Sequence, residues 1–247
     1  MFAFSRLMLL KKSLKAHLSV IFLVPVLFSG CVETTDSTGV KAETVYQNYR
    51  VTFSEEGLRH SASASFNVGG GLGTSLKLVA PSEVRLNGGG LRHELFLGSS
   101  YTLNWIAPFS PTHSFEWIDQ DGKRYVNAAT IEPVQVSVVP VYLSRSGVIS
   151  IPVHAPALGA QDRLSIELWQ SQAGQSRYYS LSGQLHGRDL VVYLRDARPN
   201  PADRPLVGSA DLQIVRSRSI PLQQATPEGG QFTTEYRTRV YRVQVID

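Results

Sequence analysis

The chain has 247 residues, 24 of them Lys or Arg against 20 Asp or Glu, with 43% hydrophobic residues and a single cysteine. That length holds one large or two ordinary domains with cores of their own, and one cysteine excludes any intramolecular disulfide. The formal charge of +4 sits entirely in the first thirty residues, which hold Arg6, Lys11, Lys12 and Lys15 and no acidic residue; the remainder carries 20 basic and 20 acidic residues. A neutral body removes the compositional support for nucleic-acid binding.

The N-terminal segment has three parts in order: the basic flank, an apolar run from Leu18 to Phe28, and the small residues Ser29 and Gly30 before Cys31. Basic flank, short apolar core and small-residue exit are the parts of a secretory signal. A spanning helix needs about 20 consecutive apolar residues; this run is shorter and is interrupted by Ser19 and Pro25. The expectation is therefore a cleaved signal helix over residues 1–30. Met8 is an alternative start that gives a shorter signal.

The exit of this signal, Leu27-Phe28-Ser29-Gly30-Cys31, resembles the lipobox of bacterial lipoproteins. Ser29, Gly30 and Cys31 match the pattern, while Phe28 stands where that family usually has Leu. The resemblance implies that Cys31 becomes the new N-terminus and carries a thioether-linked diacylglycerol, with an acyl chain on its amine. Two or more chains anchor stably where one alone is marginal. Val32 stands where an Asp would imply retention in the inner membrane of a Gram-negative cell, so the resemblance implies the outer membrane. The implied partner of Cys31 is membrane lipid.

Val32 to Glu43 has no apolar periodicity and is rich in Thr, Ser, Asp and Gly. Such a segment cannot bury enough apolar surface to order itself. It reads as a flexible tether over residues 31–43 that would hold the body about 20 Å from the membrane.

Beyond it the pattern is strand after strand. The first set is Tyr46–Phe53, Leu58–Phe66, Thr74–Val79, Glu83–Leu86, Tyr101–Ile106, Ser114–Asp119 and Lys123–Thr130. Ala62, Ala64, Phe66 and Val68 alternate strictly with Ser61, Ser63, Ser65 and Asn67, which describes a strand with one buried and one polar face. Asp121-Gly122 lies between two such runs and predicts a two-residue hairpin turn, whose central positions both need positive φ. The second set is Val134–Leu143, Val148–Val153, Leu164–Trp169, Arg177–Leu181, Leu190–Leu194, Asp211–Val215 and Phe232–Val245. The run Leu190-Val191-Val192-Tyr193-Leu194 is apolar throughout and predicts a central strand. In the last segment Tyr236 and Val240 fall on one face and Tyr241, Val243 and Val245 on the other, which calls for a bulge or for a strand shared between two packing environments. The Pro-rich stretch Asp196–Gly208 predicts an exposed irregular loop.

Many short strands, Gly/Pro-rich turns and no helical periodicity outside the signal predict an all-β fold of tandem immunoglobulin-like β-sandwich domains. Pro133 and Pro140 place a boundary near residue 140, giving domains over 44–140 and 141–247; one larger sandwich fits the same pattern. The region around Ser61–Asn87 resembles uncharacterised proteobacterial lipoproteins with β-sandwich bodies, a resemblance that implies no activity.

Motifs for catalysis or cofactors lead nowhere. His93-Glu94 has Leu97 where a zinc-protease helix needs a second His. Asp119 and Asp121 precede Gly122 without the later carboxylates of a calcium loop. Gly69-Gly70-Gly71-Leu72-Gly73-Thr74 has no Lys before Thr74 and no helix after it, so it reads as hairpin glycine, as does Gly88-Gly89-Gly90. No metal, cofactor or catalytic residue is expected, although a hydrolase whose site assembles only in three dimensions stays open.

Trp105, Trp117, Trp169, Tyr178 and Tyr179 could form a stacking platform for sugars; strand phase assigns Trp105 and Trp117 to the core, and of the adjacent Tyr178 and Tyr179 one must face outward. From Val141 onward there are 12 Arg, no Lys and 9 acidic residues, a surplus suited to an anionic surface such as lipid head groups or acidic polysaccharide. Tyr178, Tyr179, Arg237 and Arg239 are the candidate ligand surface. The function expected first is a non-enzymatic envelope lipoprotein that binds or supports another envelope protein or polysaccharide. A glycan-binding or adhesion module comes second, and a hydrolase third.

Overall fold

A computed structural model of the chain describes residues 34–95, 98–145, 147–156, 158–172, 175–194, 205 and 207–247. The expected signal, its exit and Cys31 lie outside these residues, as does most of the Pro-rich loop.

In chain order the strands of the first half are β1 (Thr34–Asp36), β2 (Val45–Ser54), β3 (Arg59–Val68), β4 (Thr74–Lys77), β5 (Glu83–Leu86), β6 (Gly89–Gly90), β7 (Arg92–Leu95), β8 (Ser99–Ile106), β9 (Thr112–Ile118), β10 (Arg124–Thr130) and β11 (Gln135–Val136). The second half adds β12 (Tyr142–Ser144), β13 (Val148–His154), β14 (Asp162–Gln172), β15 (Gln175–His186), β16 (Asp189–Tyr193), β17 (Gly208–Thr226), β18 (Gly229–Arg237) and β19 (Tyr241–Ile246). Among the described residues the only helices are two short 3-10 turns. The architecture is all-β with sandwich-like sheets, consistent with the immunoglobulin-like class that the sequence predicts.

The tether expected over residues 31–43 is described from Thr34, and there its first three residues pair with the body. β1 lies parallel to β4, with Thr34 opposite Ser75 and Asp36 opposite Lys77. Ser37 is buried, and its hydroxyl accepts from the Val79 amide at 2.9 Å and from Gln120 Nε2 at 2.6 Å. The segment has few apolar side chains, Val40 and Ala42, which pack against the edge of the core. Its first residues are ordered by backbone groups, which complete the unpaired edge of β4.

β5, β6, β9 and β10 form a four-stranded sheet in the order β10-β9-β5-β6, which covers one face of β2 and β3 in the main sheet. Inward positions alternate as pleating demands: Tyr49, Val51 and Phe53 on β2, Ala62, Ala64 and Phe66 on β3, Phe115 and Trp117 on β9. Tyr49 is the hub. Its ring stacks on Phe115 at 4.6 Å and meets Phe66 and Phe232 edge-on at 6.1 and 6.0 Å. Trp117 is buried and stacks on Tyr125, while Trp105, also expected inside, is half-buried at the margin of the core, where it stacks on His60. Gln223 and Gln224 of β17 close the side of this sandwich: their side-chain oxygens accept from the Ala128 and Val126 amides of β10.

Turn chemistry differs from expectation at one hairpin. Between β9 and β10 only Gly122 has positive φ, at +79°; Asp121 does not. The Asp119 carboxylate instead accepts from the Asp121 and Lys123 amides, both at 2.9 Å, and so shapes a longer loop. Two successive positive φ values occur at Asn87-Gly88, joining β5 to β6, and also at Gly57-Leu58 and Gly69-Gly70. In the Gly69–Gly73 loop, a Cβ on Gly73 would meet the Val68 carbonyl oxygen at 1.9 Å, so that position admits no side chain.

The second half is a wide sheet that turns at β15. The early part of β15 pairs with β14 and the late part with β16, and β16 lies between β15 and β13 as an interior strand. Gly183 sits at the turn, where a Cβ would meet Leu190 Cδ1 at 2.2 Å. The residues enclosed are aliphatic: Ile149, Ile151, Leu164, Ile166, Leu168, Leu181, Leu190, Val192, Leu212, Ile214, Val243 and Val245. Proline divides the strand expected over Val134–Leu143: β11 and β12 are separate short pieces with Pro140 between them, a residue that cannot donate to a ladder.

The main sheet has 15 strands and runs through both sides of the boundary expected near residue 140, because β18 lies parallel to β2 from Gln47 to Ser54. β17 is 19 residues long and serves both regions: residues 208–212 pair with β19 and residues 215–226 with β18. This resolves the phase change in the last segment. β18 sends Phe232 and Tyr236 to the aromatic core, β19 sends Val243 and Val245 to the aliphatic one, and the chain leaves the sheet between them. Thr238 holds the break by donating its amide to Ile214 O at 3.0 Å and accepting the Ile214 amide on its hydroxyl at 3.1 Å. Nearby, the Arg216 guanidinium is enclosed with the Asp162 carboxylate and also donates to the carbonyls of Pro133 and Pro156.

Candidate binding face on the main sheet

The four-stranded sheet covers only one face of β2 and β3. The other face is open. Register brings its side chains into rows that cross the strands. One row is Ile106, Arg59, Ser54, Arg237 and Val215; the next is Asn104, Ser61, Thr52, Glu235 and Ser217; the third is Thr102, Ser63, Arg50, Thr233 and Ser219. Small hydroxyl and amide residues make a low floor, and the long side chains stand above it.

The result is a depression of about 710 Å³ floored by Thr52 and Ser61, with Arg50, Arg59, Glu235, Arg237, Asn104 and Ile106 around it. Three further hollows adjoin it on the same face. One of about 150 Å³ shares Arg50 and Ser61 with it and reaches Glu94. One of about 320 Å³ shares Ser54 and Arg59 and leads over Glu56 to Trp169. The last, about 370 Å³, lies between Trp169, Tyr178, Asp211 and Arg242. Together they trace a groove across β8, β3, β2, β18, β17, β14 and β15. At about 4.8 Å per strand spacing it spans close to 30 Å.

The charges in the groove are of two kinds. Arg237 is held: it donates to Glu167 at 2.7 and 3.3 Å and to Glu235 at 3.4 Å. Burial alone would lower its pKa, but the two carboxylates outweigh that and hold it above its ordinary value. Arg50 and Arg59 are exposed, and neither has an ion pair or hydrogen bond among the described residues. Ser54 lies opposite Arg59, and Arg50 lies four residues before Ser54, so the two free guanidiniums stem from points about 13 Å apart along the strands.

The residues expected to form a ligand surface divide. Tyr178 is 47% exposed and Tyr179 is 4% exposed, because adjacent strand positions face opposite ways. Tyr178 lies on the groove, its ring 5.6 Å from Trp169. Its hydroxyl pKa is raised by burial and by the hydrogen bond and charge of Glu167. Glu167 thus joins Tyr178 to Arg237, two of the four expected residues. Tyr179 packs inward. Arg239 stands in the break after β18, over the Tyr241 ring at 5.2 Å, with its amide donated to Glu55. Arg50 and Arg59 were absent from the expectation. The one signal for them was phase: Arg50, Thr52 and Ser54 occupy the polar positions of a strand whose other positions are Tyr49, Val51 and Phe53.

A hydrogen bond between His93 Nε2 and Ser99 Oγ, 2.8 Å, has the composition of a hydrolase pair. Ser99 is buried, however, and neither residue lines any of these hollows. Among the described residues no group of three or more His, Cys, Asp or Glu is placed to hold a metal ion.

No protein-family model matches the chain, and no curated protein does. Among solved structures it is similar to the fibronectin(III)-like modules of Clostridium thermocellum CbhA, at 9% identity and a TM-score of 0.23, over 79% of this chain and 87% of that one.

Proposed function

We propose that the protein is a lipid-anchored envelope protein with a non-catalytic binding role, and that the open face of its main sheet is the binding surface. The observation that carries the binding role is the pair of free guanidiniums, Arg50 and Arg59, over a floor of small polar residues.

The anchor rests on Ser29-Gly30-Cys31 and the signal before it. Pairing from Thr34 leaves two residues, Val32 and Glu33, between Cys31 and β1, a reach of at most about 10 Å, half the separation that a tether to Glu43 would allow. The body then stands close to the lipid surface, at the outer membrane if the organism has one. The groove face, turned away from the covering sheet, is left for another envelope component.

Two measurements test this. Cys31→Ser is expected to abolish fatty-acid labelling; continued labelling of that variant defeats the anchor. Affinity capture from the cell envelope is expected to recover a ligand with the native protein and lose it with Ser61→Arg, which fills the groove floor. Equal recovery with both proteins defeats the groove as the binding face.

A further inference from the structure

We infer that the ligand of this groove is an acidic polysaccharide, a carboxylated or sulfated glycan lying across the strands with anionic groups on Arg50 and Arg59. The inference rests on the groove being the binding face and adds the class of ligand.

Three properties of the surface select that class. The first is its floor. Thr52, Ser61, Ser63, Thr102 and Asn104 offer hydroxyl and amide groups, and Trp105 and Ile106 add apolar area at the edge of the main hollow, a mixture that suits the hydroxyls and flat faces of a sugar chain. The second is the use already made of the backbone. On the face of a sheet every strand interior has its amides and carbonyls in the ladder, so a peptide finds no edge to extend and is read by side chains alone. The third is charge. The main hollow holds three guanidiniums and one carboxylate, and Glu235 is taken by Arg237 and by Thr52, whose hydroxyl donates to it at 3.2 Å. The other acids stand in the adjoining hollows, Glu94 in the one shared with Arg50, Glu56 and Asp211 in the one shared with Arg59, and Asp211 is paired with Arg242.

The planar guanidinium donates two parallel hydrogen bonds to a carboxylate or sulfate. Two of them, based about 13 Å apart along the strands, fit a polymer carrying anions at intervals better than a single small anion. At the far end the Trp169 and Tyr178 rings supply flat apolar area where a sugar ring can rest. Arg237, fixed by Glu167 and Glu235, is a positioning residue: it sets the wall between the charged hollow and the aromatic one.

The test uses the full chain in mild detergent and three immobilised probes: polygalacturonate, neutral dextran and polyglutamate. The expected result is retention on polygalacturonate that weakens with added salt, falls about tenfold in Arg50→Gln and again in Arg59→Gln, and drops further in Trp169→Ala. Both arginines are exposed, so these variants keep the fold. Absence of binding to polygalacturonate, or binding that both arginine variants leave intact, overturns the inference. Equal binding to polyglutamate overturns the glycan. Dextran binding that ignores the arginines overturns the acidic class while leaving the groove as the binding face, which Ser61→Arg tests separately.

Discussion

The two regions of the molecule are filled with different materials. Around β2, β3 and β9 the core is made of rings: Tyr49, Phe53, Phe66, Phe115, Trp117, Tyr125, Phe232 and Tyr236. Around β13, β14 and β16 it is made of Ile, Leu and Val, with Tyr179 the one buried ring among the described residues. Rings bury 150–250 Å² each, roughly, so a few of them fill the space between two separate sheets. Branched aliphatic chains suit a sheet that folds onto itself, where the Leu190 and Val192 side chains fill the space over Gly183 and leave no room for a Cβ. β17 and β18 tie the regions together. Phe232 and Tyr236 come from the end of the chain yet complete the core built by its beginning.

The largest expected effect probes that tie. Phe115→Ala should cost about 4 kcal/mol and Leu168→Ala about 3 kcal/mol, both by opening a cavity in a close-packed core. Because β17 and β18 belong to both regions, either variant should shift one shared unfolding transition, seen together by Trp fluorescence and far-ultraviolet circular dichroism in urea. Two separate transitions, with each variant moving only its own, would break the comparison into independent halves.

A smaller effect is expected at the ion pair beside the junction. Asp162→Ala leaves the Arg216 guanidinium buried with only the carbonyls of Pro133 and Pro156, and should cost about 3 kcal/mol. Replacing the pair together, Asp162→Leu with Arg216→Met, should cost much less, because no charge is then stranded. A double variant as unstable as the single one in urea denaturation would show that the pair holds the Pro133 segment by its charges.

The smallest effect separates the cores by pH. In the aromatic core burial holds the His113 pKa below its ordinary value, with the nearby His60 adding to that and the Ser110 carbonyl opposing it. The unfolded chain takes up a proton as pH falls through about 6.5, while the folded chain resists. Stability is therefore full above that pH and is lost as pH falls towards the lower folded value. The melting temperature should drop by a few degrees, roughly, between pH 7.5 and 5.5, and His113→Asn should flatten that slope. An unchanged slope in the variant would remove His113 as its source.

Much of this was legible in the residues. Ala62, Ala64 and Phe66 against Ser61, Ser63 and Ser65 gave one buried and one polar face, and the adjacent Tyr178 and Tyr179 had to part. The break near Val240 was visible as a change of phase. Thr34–Asp36 was not legible, because its order comes from backbone pairing with β4, which has no signature in side chains. The binding face was only half legible: alternation marks Arg50, Thr52 and Ser54 as outward, but their neighbours on β3, β8 and β18 are set by which strands pair.

Local chemistry alone, then, determined the strands, their inward residues and the neutral charge of the body, because period-two alternation and turn residues act over a few positions. Only the tertiary structure decided that β18 runs parallel to β2, that Glu167 meets Arg237 and Tyr178, and that Arg50 and Arg59 stand free over one hollow. Those depend on pairing between segments up to 180 or so residues apart, where long-range hydrogen bonding and the shared fit of side chains choose among partners that look alike in sequence.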